Sequence, residues 1–274
     1  LLTLAVLLTL SPGRAYAVVN YGYLEADGGP VTVVGNGGNL AFSPSTGGGA
    51  AIYAKNGAVV TVGRGFQSTP YKSITTYGEV IATDGSSNAA SSITLTAGDI
   101  TMNYNPSLYQ SGNDDEDMDH TLYADGGSDI TLNASGTVTI EGPVGAVDSG
   151  STIAVDGADI SVTHNTVADG YDYNLEGRGI YAQNGGSVRI GSDNTDTLTI
   201  EVVNGSYSYP NDIVSSIQLR GSESSVALYG KTISITTEDG IVNGLDFNFD
   251  GGSVVIGSDA TESVTVNCFT INNG

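Results

Sequence analysis

Residues 185–195 read GGSVRIGSDNT, and residues 251–261 read GGSVVIGSDAT. The two stretches agree at nine of eleven positions, at an offset of 66 in the numbering. A second pair, IYAKNG at residues 52–57 and IYAQNG at residues 180–185, has an offset of 128, close to twice the first. Self-similarity at a regular distance is typical of repeat architectures. The sequence therefore predicts a chain built from stacked copies of one structural unit.

Short runs of alternating apolar and polar residues recur along the rest of the chain. They predict half-buried β-strands, because successive side chains of a strand point to opposite faces of its sheet. Thr occupies many of the polar positions, and a β-branched polar side chain suits a solvated strand face. The runs lie at residues 31–33, 93–96, 130–132, 138–140, 160–162, 198–200, 233–235 and 264–266.

The repeat and the strands together predict an all-β fold, a right-handed parallel β-helix with about three coils in each repeat of ~66 residues. Each coil then contains about 22 residues and makes one turn of the solenoid. A β-sandwich is the alternative, since it also has frequent short strands, but it does not require near-identical motifs at a fixed distance. We expect residues 18–274 to form one β-helix that continues beyond Gly274.

Residues 1–17 have the pattern of an export signal. Residues 1–10 read LLTLAVLLTL, and they are followed by Ser-Pro-Gly and by Ala15-Tyr16-Ala17. Small residues at positions 15 and 17 fit signal peptidase cleavage after Ala17, and such a short apolar run cannot span a bilayer as a helix. The stretch lacks an initial Met and a basic segment, so we interpret it as an N-terminally incomplete signal peptide. The protein is therefore expected to be secreted or displayed on the cell surface.

The composition excludes one class of partner. The 274 residues contain 8 Lys and Arg against 30 Asp and Glu, which gives a net charge of −22. Nucleic-acid binding depends on clustered basic residues that release counterions from phosphates, so we expect no nucleic-acid partner. The single cysteine, Cys268, cannot form an intramolecular disulfide, and we interpret it as a small buried side chain.

These features together resemble a known family. The export signal, the Thr- and Ser-rich strands, the recurring GGSVxIGSD element and the scarcity of Cys, Lys and Trp are similar to the β-helical passenger region of bacterial autotransporters and related surface adhesins. The resemblance covers residues 18–274. It implies a passenger carried across the outer membrane by a translocation barrel downstream in the same chain. It also implies adhesive contacts with a glycan or a protein on a host or bacterial surface.

A secreted enzyme is the alternative function, because parallel β-helices also form polysaccharide lyases and hydrolases. Asn194-Thr195-Asp196 matches the first element of the polygalacturonase pattern, but neither Gly-His-Gly nor Arg-x-Lys follows it. Ala260 replaces the asparagine in the second copy of the motif. We therefore interpret the triplet as a turn, and we predict no catalytic residues and no cofactor.

Few side chains are candidates for binding a metal. The acidic run Asp114, Asp115, Glu116, Asp117 and Asp119 has the oxygen ligands that calcium prefers, although it lacks the spacing of an EF-hand loop. A solvated loop between coils is the alternative interpretation. The two histidines, His120 and His164, lie 44 residues apart and are predicted to be surface residues rather than metal ligands.

Paired tyrosines are the candidates for ligand contact. Tyr171 with Tyr173, and Tyr207 with Tyr209, each place two rings at positions i and i+2 in segments that read as insertions between strands. Exposed tyrosines stack on sugars and on proteins, and insertions in solenoids often lie on the binding face. The alternative is that these rings only cover the edges of the coils.

Overall fold

The protein is an all-β chain in a computed structural model that describes residues 16–20, 22–35, 37–44, 49–63, 69–85, 88–103, 120–165, 178–203, 215–238, 245–248, 252–267 and 271–273. The strands in order are β1 (Tyr16–Asn20), β2 (Tyr23–Val33), β3 (Asn39–Phe42), β4 (Ala50–Val62), β5 (Tyr71–Thr76), β6 (Glu79–Ala82), β7 (Ser92–Met102), β8 (Leu122–Ala124), β9 (Asp129–Ala134), β10 (Thr137–Glu141), β11 (Val144–Val147), β12 (Thr152–Asp156), β13 (Asp159–Asn165), β14 (Arg178–Gln183), β15 (Ser187–Ile190), β16 (Thr197–Val203), β17 (Ser215–Arg220), β18 (Ser224–Leu228), β19 (Thr232–Glu238), β20 (Leu245–Asn248), β21 (Gly252–Ile256), β22 (Ser263–Asn267) and β23 (Ile271–Asn273).

The strands stack in three parallel ladders. Ladder A contains the first halves of β2 and β4, followed by β6, β8, β11, β14, β17, β20 and β23. Ladder B contains the second halves of β2 and β4, the first half of β7, and then β9, β12, β15, β18 and β21. Ladder C contains β3, β5, the second half of β7, and then β10, β13, β16, β19 and β22. The chain visits the ladders in the order A, B, C, and we call each such round a coil.

This parallel register is that of a β-solenoid and not of a hairpin sandwich, whose strands would pair antiparallel. The predicted strands are confirmed, since all eight alternating runs lie inside strands, and the apolar residues of every run except residues 264–266 are buried. In β13, for example, Ile160 and Val162 are buried and Ser161 between them is more exposed. Aliphatic side chains from all three ladders fill one continuous core, while Thr and Ser between them in the strands, such as Thr139 and Thr199, are more exposed.

The repeated motifs occupy equivalent places in the ladders. SVRI and SVVI of the first motif pair lie in β15 and β21, which both pair with β18. One strand therefore separates the two copies, and the predicted three coils in each repeat are not confirmed. The number of coils in a repeat differs from the prediction because the connections between strands have unequal lengths. The step along the chain from Val138 to its partner Ile160 is much shorter than the step from Ile160 to its partner Leu198.

The IYA motifs precede the corner between ladders A and B. Asn56 and Asn184, which follow them, have φ angles of 56° and 52°. Asparagine tolerates this left-handed conformation better than most residues, and the following glycine continues the turn. The repeated Asn-Gly pairs therefore mark the same change of direction in two coils.

The N-terminal end of the stack differs from the rest. β1 pairs antiparallel with β2, from Tyr16 opposite Asp27 to Asn20 opposite Tyr23. Every other pairing in the described ranges is parallel. β1 thus covers the free edge of ladder A. Tyr16 and Ala17 belong to this strand, so the predicted cleavage after Ala17 falls within β1.

Candidate binding surface

A regular row of hydroxyl side chains runs along the outside of ladder C. Successive coils place these residues directly beside one another, and we call them the hydroxyl row: Thr75, Thr101, Thr139, Ser161, Thr199, Ser234 and Thr265. Neighbouring strands lie about 4.8 Å apart, so the row is about 29 Å long. The row itself is uncharged and short-chained, and carboxylates flank it on the same strands, among them Asp99, Glu141 and Asp159.

Carboxylates beside the hydroxyl row bond to the next coil. Asp159 accepts a hydrogen bond of 2.5 Å from Oγ1 of Thr197, its neighbour in ladder C. Asp99 accepts one of 2.9 Å from the backbone N–H of Thr137. These acidic groups join successive coils, because each bond connects strands that lie one coil apart.

Basic side chains are also paired between coils. Nζ of Lys55 lies 2.8 Å from Glu25 and 3.8 Å from Asp27. The two guanidinium nitrogens of Arg189 donate to the two carboxylate oxygens of Asp156 at 2.8 and 2.7 Å. These hydrogen bonds are the main cause that raises the pKa of Arg189. Cations paired in this way do not present the free positive charge that would attract an acidic polysaccharide.

His120 is buried, so its prediction as a surface residue is wrong. Its side chain is 6% exposed, and Nε2 is hydrogen-bonded to the hydroxyl of Tyr181. The ring of Tyr123 lies 4.3 Å from the imidazole, centroid to centroid. The ring of Tyr181 covers Gly145, where an added Cβ would lie 1.9 Å from Cζ of the tyrosine. His120 and Tyr181 are buried and Tyr123 is partly buried, and the three rings pack together at the corner between ladders C and A.

His164 is also buried, at 5% exposure, which corrects the second histidine prediction. It follows Ile160 and Val162 on the inward side of β13, and burial lowers its pKa to about 4. The imidazole is therefore neutral at physiological pH. The alternating pattern of β13 could have predicted that His164 is buried, because every second residue from Ile160 faces the core.

Asp125 is a titratable group that the sequence did not single out. Burial raises the pKa of its carboxyl group, with Asp84 and Asp148 adding repulsion, while hydrogen bonds with Thr83 and Tyr123 act in the opposite direction. It lies at the corner between ladders A and B. Across the described ranges, no group of three or more His, Cys, Asp or Glu side chains could hold a metal ion.

The Asn194-Thr195-Asp196 triplet is confirmed as a turn. Thr195 is buried; its Oγ1 donates to the carbonyl of Gly157 at 2.8 Å and accepts from N–H of Ser192 at 3.1 Å. Thr261 makes the same two bonds in the second copy of the motif, at 2.8 and 2.9 Å. The threonine closes the corner between ladders B and C, which explains why it recurs.

The remaining predicted contact residues lie outside the described ranges. They are the calcium candidates Asp114, Asp115, Glu116, Asp117 and Asp119, the tyrosines Tyr171, Tyr173, Tyr207 and Tyr209, and Cys268. The connectivity nevertheless relates three of these segments. Residues 104–119, 166–177 and 204–214 each join a strand of ladder C to the next strand of ladder A. The acidic run and both tyrosine pairs thus lie in sequence segments that follow a ladder C strand and precede a ladder A strand.

Comparisons with known proteins give no relative: no family model, no curated protein and no solved structure matches the chain. In the ranges that the structure describes, no helix is long and apolar enough to cross a membrane.

Proposed function

We propose that this chain is an exported structural and adhesive β-helix of the autotransporter-passenger kind, displayed at a bacterial cell surface. The hydroxyl row is the observation that carries this proposal. A row of short hydroxyl side chains on stacked strands suits a rigid stalk, and the row itself contains no carboxylate, imidazole or amine that could act as a general acid or base. Lys55 and Arg189 both form ion pairs with carboxylates of a neighbouring coil, which also favours a structural role over an enzymatic one.

Adhesive contacts in this proposal come from the connections between ladders C and A. Three of these connections, which include residues 104–119, 166–177 and 204–214, are the longest between the described strands, and insertions in solenoids frequently form the binding face. Tyr171, Tyr173, Tyr207 and Tyr209 are the proposed contact residues, and the partner is a glycan or a protein on a host or bacterial surface. The right-handed sense of the coil belongs to the proposal too, and it is supported by the strong preference of parallel crossovers for that hand.

Binding by paired-tyrosine variants tests the adhesive role. Residues 18–274 would be measured against immobilised cell-surface glycans and intact cells, with Tyr171→Ser/Tyr173→Ser and Tyr207→Ser/Tyr209→Ser as variants. We expect each pair to weaken binding by about tenfold or more, since aromatic anchors dominate interfaces, with the unfolding midpoint unchanged. Tyr77→Ser is the matched control, because Tyr77 is 47% exposed at the end of β5 and belongs to neither insertion. Equal binding by all variants contradicts the proposed contacts.

Two further measurements separate this proposal from the enzyme alternative and test export. Incubation with acidic polysaccharides is expected to release neither unsaturated uronate nor new reducing ends, and release of either contradicts a purely adhesive role. Expression from the gene in a Gram-negative host is expected to give an exported protein whose N-terminal residue is Val18. A product that retains residues 1–17 contradicts the signal-peptide prediction.

A further inference from the structure

Two asparagine–glycine pairs, Asn56-Gly57 and Asn184-Gly185, turn the chain at the corner between ladders A and B. Such a pair is chemically labile, because asparagine is thermolabile and glycine has no side chain to shield its backbone nitrogen. That nitrogen gives up its proton to solvent and attacks Cγ of the asparagine side chain, which expels ammonia and closes a succinimide ring. Addition of water to the ring then gives aspartate or isoaspartate.

The coils on either side hold both reacting groups of the first pair. The N–H of Gly57 donates to Oγ of Ser91 at 3.1 Å, and Nδ2 of Asn56 donates to Oδ1 of Asp27 at 2.6 Å. Ser91 belongs to the next coil and Asp27 to the previous one. The attacking nitrogen and the amide that it would attack are therefore bonded in opposite directions along the solenoid.

The second pair repeats this arrangement. The N–H of Gly185 donates to Oγ of Ser224 at 3.0 Å, and Nδ2 of Asn184 donates to Oδ1 of Asp148 at 3.4 Å. Ser224 is 1% exposed and belongs to the next coil, while Asp148 belongs to the previous one. The same two bonds thus occur at two corners that lie four coils apart.

The next coil also brings a glycine against each asparagine. A Cβ on Gly85 would lie 2.7 Å from Oδ1 of Asn56, and one on Gly221 would lie 3.4 Å from Oδ1 of Asn184. The backbone of the next coil therefore covers one side of each side-chain amide. Ring closure at either asparagine requires this coil to move away locally.

We propose that Asn56 and Asn184 are latent modification sites, at which conversion to aspartate and isoaspartate is gated by the next coil. The reaction then waits for a local opening that separates the corner serine from the glycine N–H, so its rate follows the opening equilibrium. The product opposes restacking. A carboxylate at position 56 is repelled by Asp27, and isoaspartate adds a methylene group to the backbone of the corner. This inference does not depend on the adhesive role.

The original chain gives the first test. The full 274-residue chain and synthetic peptides of residues 52–60 and 180–188 would be incubated at the same mildly alkaline pH, and aspartate and isoaspartate at each site would be measured by mass spectrometry. We expect conversion in the chain to be slower than in the peptides by about tenfold or more. Equal rates in the chain and the peptides overturn the proposal, and this comparison needs no variant that must fold.

Removal of each corner serine gives the second test. Ser91→Ala is expected to speed conversion of Asn56 by about fivefold or more and to leave Asn184 unchanged, because a lost hydrogen bond favours local opening. Ser224→Ala is expected to do the reverse. The two variants are controls for one another, since each coil of a solenoid contacts only its neighbours.

Ser151→Ala is a matched control at a corner without an asparagine–glycine pair. Oγ of Ser151 accepts a hydrogen bond of 2.9 Å from the N–H of Gly127, so this variant removes the same kind of bond. It is expected to leave conversion of Asn56 and Asn184 unchanged. Acceleration of both sites by any one of the three variants would show general loosening and overturn the gating, as would unchanged conversion of each asparagine when its own serine is removed.

Discussion

The two copies of the repeated motif share nine of eleven residues but have different surroundings. Val188 and Ile190 in β15 lie between β12 and β18, and both are fully buried. Val254 and Ile256 in β21 contact β18 on one side and are only partly buried. In a solenoid each coil contacts only its neighbours, so the same side chain contributes different amounts of stability at different places.

Truncation of the core isoleucines is the strongest test of this comparison. Ile190→Ala is expected to lower the free energy of unfolding by about 3–4 kcal/mol, because it leaves a cavity between two coils. Ile256→Ala is expected to cost only about 1–2 kcal/mol, since its side chain is already partly in solvent. Urea unfolding followed by circular dichroism and tyrosine fluorescence gives both values. Equal losses would show that the last coil is as well packed as the interior.

The glycines that end the two motif strands give the next largest difference. Gly191 and Gly257 have φ angles of 81° and 87°, which an L-residue adopts only at a cost. A Cβ on Gly191 would lie 2.0 Å from the carbonyl oxygen of Tyr229 in the next coil, whereas the atoms nearest to one on Gly257 belong to the side chain of Thr261, the closest at 3.1 Å. Gly191→Ala is therefore expected to cost about 3 kcal/mol, and Gly257→Ala about 1–2 kcal/mol.

The same urea titrations measure the glycine variants. A Gly191→Ala protein as stable as Gly257→Ala would mean that the neighbouring coil moves aside freely, and that the close approach to Tyr229 does not restrict this corner.

A smaller difference in stability is expected between the corner threonines of the two motif copies, Thr195 and Thr261. Thr195→Val is expected to cost about 1–2 kcal/mol, because it leaves the carbonyl of Gly157 buried without its hydroxyl donor. Thr261→Val is expected to cost about 0.5–1 kcal/mol, since Thr261 is more exposed and water replaces the lost bond. Thermal unfolding of the two variants compares these losses. A larger loss at Thr261 would reverse the ranking of the two copies.

The smallest effect is expected where the two motifs differ. Arg189 in the first copy corresponds to Val255 in the second, so Arg189→Val makes the first strand resemble the second. Its ion pair with Asp156 is about one third exposed, and such pairs contribute about 0–1 kcal/mol. The loss is expected to shrink at high salt. A salt-independent loss of several kcal/mol would show that packing of the arginine, rather than its charge, stabilises this face.

Much of the architecture could be predicted from local patterns. The alternation of apolar residues located the strands, and the repeats placed Ser187 and Ser253 at equivalent ladder positions before any contact was known. The number of coils in each repeat could not be obtained this way. Insertions such as residues 166–177 lengthen some coils without leaving the ladder, so distance along the chain does not count coils.

The candidate binding surface was less predictable. The outward Thr and Ser positions were recognised strand by strand, but their alignment into one row depends on the register between coils. The burial of His120 depends on Tyr181, which is far from it in sequence. No spacing rule relates two such positions, because the intervening connections have variable length.

The sequence alone determined the strand pattern, the Asn-Gly corners and the strongly acidic character, since each depends on residues that are close together or on simple composition. Only the tertiary structure decided which strands are neighbours and which of two nearly identical motifs is fully buried. The physical reason is that a coil buries its apolar side chains against other coils, so the burial of each residue depends on strands that its own sequence does not specify.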